Sequence, residues 1–239
     1  MTMETLDPRP VALLTGVGPG TGTALVRRFV AGGYRVAMLA RDAGRLAALA
    51  AELPDAQAYV CDVADNAAID ATLARVRAEL GAPAVLIHNA VAGGRGHFMD
   101  MDPALLERGF QVNVMALLHL ARALAPDMIA AGQGAIVVTG NTSSQRGRAA
   151  FAGLAPTKAA QRILCEAMAR DLGPQGVHVA YVVIDAVIDV PWTRQRFADQ
   201  PDSFFMQTSA IADEVWHLVH QQRSAWSFLH ELRPFGETW

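Results

Sequence analysis

The feature that most constrains this chain is a run of glycines, Thr15-Gly16-Val17-Gly18-Pro19-Gly20-Thr21-Gly22, set between an apolar segment, Pro10 to Thr15, and a stretch of helical period, Gly20 to Ala31. Strand, bare turn and helix in immediate succession make a cradle for an anion. Glycine lets the backbone turn sharply and approach a phosphate, while the first N–H groups of the helix point at the negative charge. A turn of this kind opens a βαβ unit, which requires further parallel strands and helices covering both faces of the sheet.

The rest of the chain meets that requirement. Strand-like runs recur at Arg35 to Leu39, Ala56 to Cys61, Ala84 to His88, Ala135 to Thr139, Val177 to Ile184 and Ser227 to His230. They alternate with Ala/Leu-rich helical stretches at Ala43 to Glu52, Asn66 to Leu80, Ala104 to Ala131, Ala149 to Leu172 and Ala210 to Gln221. The reading is α/β: one domain over residues 1–239, a doubly wound parallel sheet of about seven strands with helices on both faces. The least regular stretch, residues 189–208, carries prolines and aromatics after the sixth strand and is expected to be a loop covering a substrate.

Composition narrows the partners. With 52% hydrophobic residues the chain can bury a large core, and a net charge of −3 offers no basic field for nucleic acid or an anionic membrane. Charged residues interrupt every long apolar run, so no membrane span is expected. Two cysteines, Cys61 and Cys165, and a start without a basic stretch ahead of an apolar one point to a reduced protein of the cytoplasm. His217 and His220 share a helix face, but no third ligand accompanies them and no metal site is expected.

Taken together, Thr15, Gly16, Gly20 and Gly22 fit a TGxxxGxG pattern, Asp62-Val63 follows the third strand, Asn89-Ala90 follows the fourth, and Asn113 and Lys158 open or sit within later helices. In this order the set resembles the short-chain dehydrogenase/reductase family along nearly the whole chain. The resemblance implies a Rossmann-type fold, a nicotinamide cofactor and a small-molecule substrate. It places Thr15, Gly16, Gly18, Gly20, Thr21, Gly22, Arg41, Asp62, Val63, Asn89, Ala90 and Lys158 around the cofactor, and Asn113, Asn141 and Lys158 at the reacting centre. It also implies a homodimer or homotetramer paired through the helices at Ala104 to Ala131 and Ala149 to Leu172. The aromatic end, Trp226 to Trp239, is expected to complete the sheet edge and touch a neighbouring subunit.

The second strand ends Leu39-Ala40-Arg41-Asp42. Ala40 stands where NAD-preferring relatives carry an acid, and the guanidinium of Arg41 suits a 2′-phosphate, so NADP (NADPH) is expected over NAD. Asp42 has an ordinary role as the N-cap of the next helix.

Three departures mark the chain. His88 and Val91 replace residues of the family's NNAG motif. Leu154 stands four residues before Lys158, where the resemblance places a tyrosine that passes a proton to the substrate oxygen. Thirteen residues earlier, Asn141 takes the place of a serine, with an amide still able to donate a hydrogen bond. Tyr59 and Tyr181 lie in strands, away from the start of this helix, and Phe151 occupies the spacing at which enoyl reductases of the superfamily carry a tyrosine. Thr142, Ser143, Ser144, Thr157 and His97 are the other groups weighed as proton donors. Three functions stay open: an NADP-dependent oxidoreductase acting on a carbonyl or conjugated alkene, a cofactor-binding protein without turnover, and an enzyme that has left redox chemistry.

Overall fold

Continuous apolar runs such as Val-Ala-Leu-Leu-Thr and Val-His-Val-Ala-Tyr-Val-Val-Ile belong in strands buried on both faces, and every residue of both is buried. The computed structural model describes residues 7–237. Its strands are β1 (Val11–Thr15), β2 (Arg35–Ala40), β3 (Ala56–Val60), β4 (Pro83–His88), β5 (Gly134–Asn141), β6 (Val177–Ile184), β7 (Val187–Ile188), β8 (Phe205–Met206) and β9 (Leu229–Leu232). Seven of them form one sheet in the order β3-β2-β1-β4-β5-β6-β9, every pair parallel. The order reverses between β1 and β4, and an open α/β sheet binds its ligands in the crevice at that reversal.

The helices are α1 (Thr21–Ala31), α2 (Ala43–Glu52), α3 (Asn66–Glu79), α4 (Pro103–Phe110), α5 (Ala116–Ala130), α6 (Ala155–Leu172), α7 (Pro191–Arg196) and α8 (Thr208–Val219). Alternate strand residues serve opposite faces: Leu13, Leu39 and Tyr59 pack with Ile69, Leu117, Leu120 and Cys165 on one side. Leu14, Met38 and Ile87 pack with Leu25, Phe29, Ile211 and Val215 on the other. Each fully buried leucine contributes about 1.5–3 kcal/mol of transfer free energy, so the two layers hold the sheet rigidly.

Four expectations need correction. The helix expected from Ala149 starts only at Ala155, because Pro156 suits a first turn and Phe151 is drawn into a bridge with Gly96. The long helix after the fourth strand is interrupted by a π-type turn, Gln111–Met115, where Ala116 N–H reaches back to the Gln111 carbonyl. The stretch Pro103–Ala130 is long and apolar enough to cross a bilayer, contrary to the reading of the apolar runs, yet Leu117, Leu120, Leu124 and Met128 are buried in the core. Residues 189–208 are not irregular: they contain α7 and β8, which pairs in parallel with β7 just ahead of them, and Arg194 clamps the segment between Asp189 and Asp202. The aromatic end supplies β9 as the outer strand on β6, while Thr238 and Trp239 lie outside the described residues.

Candidate active site

A cleft of about 740 Å³ opens at the β1/β4 reversal, and the glycine turn forms its floor. Gly16 has φ +71, and a Cβ there would lie 2.5 Å from the Ala90 Cα. At Gly22 a Cβ would stand 2.5 Å from the Gly16 carbonyl oxygen, so α1 packs onto the turn only without one. Gly18 is different: nothing lies nearer than 4.0 Å, which leaves its face bare. Helix α1 starts after Gly20 with no side-chain cap and no acid in its first turn, and Gly20 and Thr21 line the cleft. These orphan N–H groups and the bare glycine fit a pyrophosphate.

Behind the turn, polar side chains fix its position. The Asn89 amide donates to the Gly16 carbonyl at 2.9 Å and accepts from the Thr139 hydroxyl at 2.9 Å. Thr15 is buried, its hydroxyl 3.1 Å from Nδ1 of His88 and accepting from Ala90 N–H at 3.3 Å. Nε2 of His88 lies 3.1 Å from the Val112 carbonyl, which only accepts, so the proton sits on Nε2 and Nδ1 takes the threonine hydrogen. Burial, with the Lys158 charge, pushes His88 down to about 3, so the ring is neutral. His88 therefore ties Thr15 of β1 to the Val112 carbonyl behind the turn.

At the far end of the cleft Arg41 is exposed, while Asp42 caps α2 by accepting from Arg45 N–H at 2.9 Å and pairs with the Arg45 guanidinium at 3.0 Å. Asp62 and Val63 also line the cleft. Burial would raise the Asp62 carboxyl, but Arg108, donating to both its oxygens at 2.9 and 2.6 Å, outweighs this and holds it below the usual range. Arg45 and Arg108 were not singled out from the sequence, where both read as ordinary helix arginines. From residues 189–208 come Val190 and the 65% exposed Trp192, which join the cleft wall.

The remaining predicted residues lie behind the cleft lining: Lys158 on α6 and Asn113 in the π-type turn are buried, while Asn141 is half-buried at the end of β5. Lys158 is the only lysine in the chain and is 2% exposed. Its Nζ donates to the Thr139 carbonyl at 3.2 Å and to Oε1 of Gln161 at 2.9 Å. Burial lowers the ammonium to about 8. Asn113 lies in the π-type turn, and its amide donates to the Ala92 carbonyl and the Thr157 hydroxyl, both at 2.8 Å, and accepts from Ala92 N–H at 3.0 Å. The Asn113 backbone carbonyl accepts from Nε2 of Gln161 at 2.7 Å.

Asn141 closes β5, its Oδ1 accepting from Ser143 N–H at 3.0 Å, and among the described residues its Nδ2 has no partner. Leu154 precedes α6, its backbone carbonyl accepting from the Thr157 hydroxyl at 2.9 Å and its side chain facing Gly93. Thr157 and Ser144 donate their hydroxyl hydrogens to backbone carbonyls, the latter to Asn141 at 2.7 Å, while His97 stays in the exposed loop. Tyr181 corrects an expectation. Its hydroxyl lies 3.4 Å from both the Lys158 carbonyl and Oε1 of Gln161, because β6 pairs with β5 beneath α6. Burial pushes that phenol up, so it stays protonated. No cluster of metal-type ligands occurs among the described residues.

Comparison with known proteins agrees with this geometry. The family description "short chain dehydrogenase" matches residues 10–201. D-erythrulose reductase of Gallus gallus is 37% identical over 169 residues, covering 70% of this chain and 67% of that protein. L-xylulose reductase of Bos taurus is 30% identical over 224 residues, covering 89% and 90%. A metagenomic short-chain oxidoreductase solved in complex with NADP superposes with a TM-score of 0.81 at 30% identity, covering 94% of this chain and 97% of that one.

Proposed function

Since the chain belongs to the short-chain dehydrogenase family of oxidoreductases, we propose that it is an NADP(H)-dependent reductase of a small carbonyl or conjugated alkene compound. The observation that carries this is the far end of the cleft. Asp42, the acid that follows Arg41 at the end of β2, is held by its N-cap bond and by Arg45, while Arg41 stands exposed for a 2′-phosphate. The bound dinucleotide supplies the hydride. The glycine turn and the start of α1 hold its pyrophosphate, Asn141 offers Nδ2 to the substrate oxygen, and Val190 and Trp192 cover the substrate.

The names of the relatives make D-erythrulose and L-xylulose the first compounds to assay. Titration with NADPH and, separately, NADH tests the reading: NADPH binding at least about tenfold tighter supports it, and no binding of either sinks it.

A second reading rests on Leu154. With no ionisable proton at that position, a dinucleotide-binding protein without turnover follows if NADPH binds tightly but is oxidised by no compound of a broad carbonyl and enone panel. We also infer pairing of copies through α5 and α6, where Met115, in the turn just ahead of α5, and Ile163 on α6 stand exposed. Sedimentation at micromolar concentration tests it, and a monomer throughout rejects it. The buried free thiols Cys61 and Cys165 fit a reducing, cytoplasmic setting.

A further inference from the structure

Gln161 lies one turn after Lys158 on α6 and is wholly buried. Its amide bridges the Lys158 Nζ at 2.9 Å and the Asn113 carbonyl at 2.7 Å. The bridge has one possible orientation. An ammonium only donates and a carbonyl only accepts, so Oε1 must face the lysine and Nε2 the carbonyl; a flipped amide would set donor on donor and acceptor on acceptor.

Lys158 has no carboxylate partner among the described residues. The titratable groups around it are His88 on β4, Cys165 on α6 and Tyr181 on β6, and burial keeps all of them uncharged at neutral pH. A buried cation without a counter-ion rests on the oxygens that accept from it. Here these are Thr139 O, fixed by the sheet, and Oε1 of Gln161. Histidines aside, the chain uses arginine for every other basic side chain, and arginine does not release a proton.

Resting on the reductase reading above, we propose that Gln161 is the positioning residue for the proton donor of this site, holding Lys158 so that the lysine itself supplies the proton that no hydroxyl at position 154 can give. In carbonyl reduction the substrate carbon gains a hydride, forming a C–H bond with the electron pair from the reduced dinucleotide. The C=O π pair moves onto oxygen, and that oxygen takes the third Nζ hydrogen. The neutral amine that remains has two N–H bonds, matching the acceptors Thr139 O and Gln161 Oε1, and solvent returns the proton.

A single lysine makes the test direct. Growth on 13C,15N-lysine labels one side chain, whose Cε and Nζ resonances report its titration in the full-length protein with and without NADPH. Gln161→Met removes one acceptor and should move the midpoint down by a unit or more. Gln161→Glu sets a carboxylate beside Nζ and should move it up by more than a unit. The pH limb of turnover should follow in the same order, with kcat changed more than KM. If both folded variants titrate like the wild type, the proposal is wrong. Should Gln161→Met fail to fold, Gln161→Glu decides alone, and an unmoved midpoint there overturns the proposal. Lysine shifts as expected with no NADPH binding would instead overturn the reductase reading, and the donor role with it.

Discussion

The glycine turn follows β1 and the buried lysine bonds β5, on either side of β4 at the same end of the sheet, and they are built from opposite materials. The turn is backbone left bare: Gly18 faces open space and α1 begins without a cap. The lysine site is side chains bonded to one another, with Lys158, Gln161, Asn113 and Thr157 each engaged by a neighbour. The first region ties Gly16, Val17 and Gly18 N–H inside the fold but leaves the start of α1 uncapped, and the second satisfies its side chains internally. Under the proposed function, specificity for a dinucleotide resides in what the first region omits, and reactivity in how tightly the second is tied.

The largest effect expected is at the lysine. Lys158→Met should lower NADPH turnover by at least about 100-fold, the usual scale of a lost proton-transfer group, with melting temperature maintained because removing a buried charge that has no counter-ion offsets the two hydrogen bonds lost. Turnover within about threefold of wild type would show that the tied region carries no chemistry. The turn breaks differently. Gly16→Ala puts a Cβ 2.5 Å from the Ala90 Cα at φ +71, and should destabilise the fold by about 3 kcal/mol, roughly 6–12 °C in Tm. Gly18→Ala, with no atom closer than 4.0 Å, should leave Tm unchanged and weaken NADPH binding. Equal Tm losses in the two alanine variants would erase the distinction between a supporting and a ligand-facing glycine.

The same contrast governs how much the sequence revealed. The alternation of strands and helices, the bare turn and the Asp42 cap are local properties of backbone and spacing, and they appear where the pattern put them. Lys158 and Asn113 were reachable through their order along the chain. Gln161 and Tyr181 were not, because their roles arise from tertiary packing: β6 lies beside β5, so Tyr181 comes under Lys158 across 23 residues. One signal for Gln161 was present, a polar residue one turn beyond Lys158 on an Ala-rich helix. The start of that helix was misplaced because alanine propensity at Ala149 and Ala150 is overridden by the pairing of Phe151 with Gly96.

Cofactor preference sharpens the comparison at the rim of the open region. Arg41→Ala should weaken NADPH binding by about 10- to 100-fold, the loss of charge-assisted bonds of about 1.5–3 kcal/mol, and leave NADH binding unchanged. Equal losses for both nucleotides would remove Arg41 from the 2′-phosphate. Arg45→Ala should have a smaller effect, since that guanidinium is already paired with Asp42.

The smallest effect is a pH dependence at the seam joining the two regions. His88 is held at about 3 in the fold against 6.5 for the free side chain, so the unfolded chain takes up the proton first as the pH falls. The stability that the neutral ring contributes is complete above about 6.5 and is lost progressively down to about 3. Between pH 6.5 and 5.5 this group should remove up to about 1.4 kcal/mol per unit, roughly 3–6 °C in Tm. In His88→Gln the new amide can accept from Thr15 or donate to Val112 but carries no titrating proton, so that variant should melt at a lower temperature and show a flatter Tm between pH 6.5 and 5.5. Parallel Tm profiles for variant and wild type would mean that acid sensitivity lies elsewhere, and that the turn and the lysine site are not joined through this histidine.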